Sequence, residues 1–222
     1  MSIAQDLARV RERIDAACRR AGRSPDDVTL VGVSKGSPAR AVAEADAAGL
    51  QDVGENRVQE AIPKIEALEA LGVRPRWHLV GHLQTNKAKT AAARFAIIQS
   101  VDSVRLAQAL SQAAQESVPV LLEVNVAQEA TKFGFAPLEA GPALSTIASL
   151  AHLDVRGLMT VAPSVDDPEA VRPVFRCLRE LRDELGLREL SMGMTDDFEV
   201  AIEEGATIVR IGRAIFGPRP EA

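Results

Sequence analysis

A single (β/α)8 barrel of the TIM type, preceded by one extra helix, is the fold class this sequence predicts. Eight short apolar runs, several rich in β-branched residues, are spread along 222 residues as strands buried on both faces would be. Helical stripes lie between the runs, so strand and helix alternate. Eight such units exceed what most doubly wound open sheets need, although an open sheet would be built from the same parts.

The elements follow in order. Ile3, Leu7, Val10, Ile14 and Cys18 share one face of a first helix, and Gly22 stops it. Val28–Val33 reads as the first strand and Leu50–Val53, short and close to Gly54, as the second. A helical stripe of Val58, Ile62, Ile65 and Leu68 precedes the third strand, Trp77–Val80, and Ala96–Val101 is the fourth. Val104, Ala107, Leu110 and Ala114 form the next stripe, ahead of Val118–Val126 and Val155–Val161. The longest stripe is Val171, Val174, Phe175, Leu178, Leu181 and Leu185, begun by Asp167-Pro168 and ended by Gly186. Arg188–Met192 and Thr207–Ile211 supply the last two strands.

Composition narrows the function classes. With 46% hydrophobic and 26% charged residues the chain is neither disordered nor collagen-like, and it is expected to form one domain over residues 1–222. A net charge of −5 without any Lys/Arg block argues against a nucleic-acid surface. No run reaches the ~20 apolar residues that span a bilayer, and Met1 to Arg23 has no signal-peptide core. Cys18 and Cys177 are the only cysteines, which excludes a disulfide framework and favours a reducing, cytoplasmic setting. A monomer is expected, since no additional interface segment stands out.

In either α/β architecture a ligand sits beyond the C-terminal ends of the strands. Lys35 follows the first strand in Val31-Gly32-Val33-Ser34-Lys35 and is one of only five lysines among 26 basic residues. On the same side as Val31 and Val33 it points into the mouth, where a partly desolvated amine can form a Schiff base. The competing reading is a lysine that leaves the strand into solvent. Gly54-Glu55-Asn56 and Gly81-His82-Leu83-Gln84-Thr85-Asn86-Lys87 suit a ligand mouth, and equally helix caps at Asn56 or Thr85. His78 reads as a satisfied core histidine, His82 as open between roles, and His152 as a loop residue. Three scattered histidines and two distant cysteines give no metal-ligand spacing.

Ser191-Met192-Gly193-Met194-Thr195 and Arg210-Ile211-Gly212-Arg213 follow the seventh and eighth strands, where barrels commonly cradle a phosphate with backbone N–H groups. Asp196 and Asp197 crowd the same helix start and would repel an anion unless turned away. Helix capping, with Glu199 completing an Asp-x-x-Glu start, is their ordinary role. No Walker loop, G-x-G-x-x-G or G-x-S-x-G is present, and Asp166-Asp167 and Glu203-Glu204 read as solvated faces.

A first-strand lysine with a phosphate cradle after strands seven and eight is the layout of a pyridoxal 5′-phosphate (PLP) barrel. The motifs Val31 to Lys35, Gly54-Glu55-Asn56-Arg57-Val58-Gln59-Glu60, Trp77 to Lys87, Gly157-Leu158-Met159-Thr160 and Leu190 to Gly217 resemble the pyridoxal phosphate homeostasis protein family, in order and from about residue 3 to residue 217. The resemblance implies a barrel like the N-terminal domain of alanine racemases, with PLP held as a Schiff base on Lys35. It implies that Ser191, Gly193, Thr195 and Gly212 line the phosphate, that Arg210 faces the pyridine ring, and that Asn56, His82 and Thr160 surround the cofactor. Gly36-Ser37 departs from the bulkier Thr-Lys usual after the lysine and is expected to loosen that turn. Thr195 stands where serine is common and keeps the hydroxyl.

The function so implied is non-catalytic PLP binding in intracellular vitamin B6 and amino-acid homeostasis, with PLP-dependent apoenzymes as recipients. The alternatives are a PLP-dependent amino-acid racemase of low activity and a Schiff-base lyase or phosphosugar barrel without PLP. The chain contains no tyrosine, and a length of 222 residues leaves no second domain to close a substrate site. Both argue against turnover, because racemisation needs a base on each face of the substrate carbon.

Overall fold

The computed structural model describes residues 2–218, and its eight parallel strands close into a barrel in chain order. The strands are β1 (Thr29–Val33), β2 (Asp52–Glu55), β3 (Arg76–Leu79), β4 (Ile97–Val101), β5 (Val118–Glu123), β6 (Leu153–Met159), β7 (Glu189–Ser191) and β8 (Ile208–Ile211). Around them run α2 (Ala39–Ala47), α3 (Val58–Glu69), α4 (Ala88–Arg94), α5 (Val104–Ala113), α6 (Pro137–Ile147), α7 (Arg172–Glu184), α8 (Phe198–Glu203) and α9 (Arg213–Phe216). The barrel closes where β1 pairs β8, from Thr29 opposite Ile208 to Gly32 opposite Ile211.

The additional helix α1 (Ile3–Arg20) starts on a capping box in which Ser2 accepts from the Gln5 N–H and the Gln5 side chain returns to Ser2. Its predicted stripe is buried at Leu7, Val10, Ile14 and Cys18, and it packs on α2, α8 and α9, across the seam of the ring. The helix begun by Asp167-Pro168 opens as a 3-10 turn, Pro168–Val171, whose first amide at Glu169 donates to the Asp167 side chain at 3.0 Å, before α7 takes over. Among the described residues, no helix is long and apolar enough to cross a membrane.

Strand boundaries shift where apolar content and barrel geometry disagree. The second run was expected at Leu50–Val53, yet β2 extends to Gly54 and Glu55. Parallel pairing to Arg76–Leu79 carries it onward, and Gly54 fits because a Cβ there would lie 3.0 Å from Val31 Cγ1 and 3.2 Å from Val33 Cγ2. The fifth run, expected to reach Val126, stops as a strand at Glu123; Val124 then bridges to Phe135 across a folded loop.

Most apolar side chains pack between strands and helices. The barrel interior holds a smaller cluster of Val31, Ile97, Leu121, Met159 and Ile208. The polar groups that share this interior make the site.

Candidate functional site

β1 delivers Lys35 through a buried lock. Ser34 is fully buried; its hydroxyl donates to Glu55 Oε1 at 2.6 Å, and Lys64 Nζ donates to the Ser34 carbonyl at 2.8 Å while ion-pairing with Glu55. The chain then turns at Gly36 (φ +76°), and the Ser37 N–H closes the turn on the Ser34 carbonyl at 2.9 Å. The expected loosening is therefore not what this turn shows: glycine suits its left-handed backbone. Lys35 lines a cavity of about 630 Å³ at the C-terminal mouth, together with Val33, Asn56, Val80, Val161, Thr195, Arg210, Gly212 and Phe216.

The β7–α8 turn forms a second wall. Gly193 adopts φ +91°, and a Cβ there would lie 2.6 Å from Ala201 Cβ and 2.9 Å from Phe198 Cα. Gly193 is thus demanded by α8 packing against the turn, and it is Thr195, with Met194 and Asp196, that lines the cavity. The two aspartates bond to different partners, and Asp196 stays at the cavity wall. Asp196 pairs with Arg213, while Asp197 Oδ1 accepts from the Met194 N–H at 2.5 Å. Burial pushes the Asp197 carboxyl above its ordinary range, against the Met194 N–H and Arg210. Neither aspartate caps α8 with its side chain, and Glu199 bonds Arg13 on α1 at 3.1 Å instead of completing a capping box. Asn56 and Thr85 likewise make no side-chain cap, since the residues preceding α3 and the Thr85–Lys87 turn are Arg57 and Gln84.

Arg210, on β8, is held from behind. Its Nη1 donates to Ser191 Oγ at 2.6 Å and its Nη2 to the Thr160 carbonyl at 2.8 Å, while the Thr160 hydroxyl donates to the Val124 carbonyl at 2.7 Å. Ser191 and Thr160 are therefore buried supports of Arg210 and not cavity lining. Burial lowers the guanidinium to about 10, opposed by Glu123 and Asp197, so it remains cationic at neutral pH. Glu123, at the end of β5, is pushed up to about 7 by burial and then by Asp102, with Arg210 pulling the other way.

His82 does not line the Lys35 cavity. It stacks on Phe133 with ring centroids 3.7 Å apart, and its Nδ1 lies 2.7 Å from Asp102 Oδ2. It faces a neighbouring cleft of about 500 Å³ that shares Asn56 with the Lys35 cavity and adds Arg57 and Lys87. His78 is the core histidine expected, bonded on both ring nitrogens. His152 is an exposed loop residue with φ +61°. Among the described residues, no group of three or more His, Cys, Asp or Glu is placed to hold a metal.

Of the nine predicted site residues, the structure brings Lys35, Asn56, Thr195, Arg210 and Gly212 to one cavity and sets Ser191, Gly193 and Thr160 behind it. Sequence reasoning pointed to Glu55 only as part of a mouth motif and missed Lys64, Gln99 and Glu123. The signal available for Gln99 was a polar pair, Gln99-Ser100, inside a run otherwise apolar on both faces.

This architecture has known counterparts. The family model for the alanine racemase N-terminal domain matches residues 5–220. The chain belongs to that family. Within it, the chain is 46% identical over 228 residues to a pyridoxal phosphate homeostasis protein of Aquifex aeolicus, covering 99% of both chains. It is 45% identical to the Pseudomonas aeruginosa protein of the same name, covering 98% of this chain and 96% of that one. The solved structure of PipY from Synechococcus elongatus with PLP bound superposes with a TM-score of 0.85 at 37% identity, covering 97% of this chain and all of that one. The chain is thus a member of the pyridoxal phosphate homeostasis proteins within the racemase-domain family.

Proposed function

We propose that this chain binds PLP in the mouth cavity, with Lys35 as its covalent anchor, and serves intracellular PLP and amino-acid homeostasis as a non-catalytic carrier. One observation carries the reading: a primary amine, a buried cationic guanidinium and a hydroxyl at Thr195 converge on one cavity of about 630 Å³. That size lies within the usual range for small-ligand sites. The donor set fits the group. Thr195 and Gly212, with Arg213 beside them, suit its phosphate; Asn56 and the apolar Val33, Val80 and Val161 suit its ring. Gly193 shapes the turn that carries Thr195, while Ser191 and Thr160 hold Arg210. His82 stands in the adjoining cleft.

PLP supplies an aldehyde that condenses with a primary amine and a pyridine ring that withdraws electrons. Arg210 bears on the second property. A guanidinium that stays protonated keeps the ring nitrogen unprotonated, and this weakens the electron withdrawal on which turnover depends. The chain has no tyrosine to act as a second base. Retention and release, not conversion, are what the residues favour. In this reading residues 1–222 act as one domain, a cytoplasmic monomer that loads PLP-dependent apoenzymes.

Borohydride reduction of the PLP-treated protein, followed by peptide mapping, tests the assignment. One phosphopyridoxyl group is expected, on the peptide carrying Lys35. Label recovered chiefly on Lys87, Lys89 or Lys132, or protein that takes no label, would overturn the proposal.

A further inference from the structure

Arg210 is the upper end of a hydrogen-bonded line that crosses the barrel interior. Ser191 Oγ, which accepts from Arg210 Nη1, donates its proton to Gln99 Oε1 at 2.6 Å. Gln99 Nε2 lies 2.8 Å from His78 Nδ1, and His78 Nε2 lies 2.8 Å from Asp52 Oδ1. Asp52 also accepts from Arg76 Nη2 at 2.7 Å. Five strands contribute: β8, β7, β4, β3 and β2. All the members from Asp52 to Arg210 are buried.

Gln99 reaches this line through a backbone irregularity. Ile98 pairs Val120 and Val101 pairs Leu122, so β4 takes three residue steps where β5 takes two. The extra residue is a bulge, a feature that re-aims side chains.

The direction of every hydrogen follows from the two ends together with the orientation of Gln99, whose Nε2 faces His78 Nδ1 and whose Oε1 faces Ser191. A guanidinium can only donate and a carboxylate can only accept. Burial opposes ionisation of Asp52, but the bonds from His78 and Arg76 outweigh it and hold its carboxyl below the ordinary range. Asp52 therefore accepts a hydrogen bond from His78 Nε2–H. In a neutral ring Nδ1 then accepts, so Gln99 must offer its NH2 there and its carbonyl to Ser191. Ser191 in turn gives its proton away and presents a lone pair to Arg210. A second proton on His78 would set an N–H against the Gln99 NH2. Relieving that clash requires Gln99 to turn over, which removes the acceptor for the Ser191 proton.

We propose that His78 and Gln99 are positioning residues for Arg210: the Nε2–H form of His78 fixes the orientation of Gln99, and through Ser191 the aim of the guanidinium at the Lys35 cavity. The lower end of the line is reachable from solvent. Asp52, Arg76 and His78 line a cavity of about 250 Å³ at the N-terminal face of the barrel, and Asp27, Arg156 and Glu189 line it with them. The face opposite the ligand mouth thereby bears on the ligand site. The hydrogen-bond polarity stands without any ligand; its effect on PLP rests on the function proposed above.

Two measurements separate those parts. In ligand-free protein labelled with ¹⁵N-histidine, two-bond ¹H–¹⁵N correlation reads each tautomer. His78 is expected as Nε2–H, and His82 as Nδ1–H because its Nδ1 faces Asp102. In Gln99→Glu a carboxylate accepts from both neighbours, so His78 should gain a proton on Nδ1. Ser191→Ala, which removes only the hydroxyl, should leave His78 as Nε2–H, because Asp52 and Gln99 still flank the ring. An Nδ1–H His78 in the native protein, or a Gln99→Glu ring that still lacks a proton on Nδ1, overturns the inference. For the ligand, Gln99→Glu should change PLP retention by a factor of about three to ten, the worth of one hydrogen bond, and shift the absorption of the bound chromophore. Altered His78 with retention and spectrum both unchanged would refute positioning. If the native protein takes up no PLP at all, the function proposed above fails while the tautomer result still decides the polarity.

Discussion

Glu123 closes β5 with its carboxyl at the mouth of the barrel, in a place that penalises its charge. Burial and the nearby Asp102 raise it from 4.5 to about 7, although Arg210 draws it down. The sign follows from linkage. A carboxyl whose folded value lies above its unfolded value gives its full relative stability below about pH 4.5, and that stability is lost as pH rises toward about 7. The whole interval corresponds to about 3 kcal/mol, and partial contact with solvent trims what is expressed between about pH 5 and about pH 8 to about 2 kcal/mol. Glu123→Gln removes the titration while keeping the shape. Urea unfolding of ligand-free protein, followed by the fluorescence of the single, buried Trp77, measures both proteins across that range. The variant should gain on the native protein by about 2 kcal/mol as pH rises. A difference that stays constant with pH, or that moves in favour of the native protein, would refute this account of the mouth.

Lys35→Ala should abolish the borohydride-fixed label yet change unfolding free energy by no more than about 0.5 kcal/mol, because a mouth residue supports little packing; loss of the circular dichroism signal along with the label would make Lys35 structural. Gly193→Val should destabilise by about 3 kcal/mol, since it adds overpacking against Ala201 and Phe198 to a left-handed backbone, and a urea midpoint unchanged from the native protein would contradict that packing. PLP-loaded protein incubated with L-alanine or L-serine in deuterated water should convert neither enantiomer at ~1 s⁻¹, an ordinary enzymatic rate, and conversion at that rate would replace the carrier by a racemase.

Much of the fold was legible because parallel strands covered on both faces leave a continuous apolar trace, as at Val28–Val33 and Thr207–Ile211. Boundaries were less so. β2 contains Gly54 and Glu55 because pairing and interior volume, not hydrophobicity, hold them there. In the site, Lys35 was legible from its position past a strand end. The family resemblance placed Ser191 and Thr160 at the ligand, and in the structure they bond Arg210 from behind. Proximity to a strand end does not say which way a side chain faces. Gln99 showed only as a polar break in an apolar run; where it points was not legible, because the bulge that re-aims it is a property of β4 against β5, not of either strand alone.

The interior of this barrel departs from a filling of bulky branched side chains, and that departure organises the rest. Only Val31, Ile97, Leu121, Met159 and Ile208 form an apolar plug inside it. Asp52, His78, Gln99, Ser191 and Arg210 run through the same interior, and a buried polar group left unmatched there costs more than a matched one contributes. Stability must then come from the outer layer, where the buried stripes of α3 and α5 pack on the strands and that of α1 packs on α2, α8 and α9. The interior is released from that task and holds the Arg210 guanidinium, bonded to Ser191 and Thr160, beside the cavity that Lys35 also lines. The same division explains why α1 lies over the seam between β1 and β8: those strands carry Lys35 and Arg210, and their relative position sets the distance between the two groups a ligand would meet.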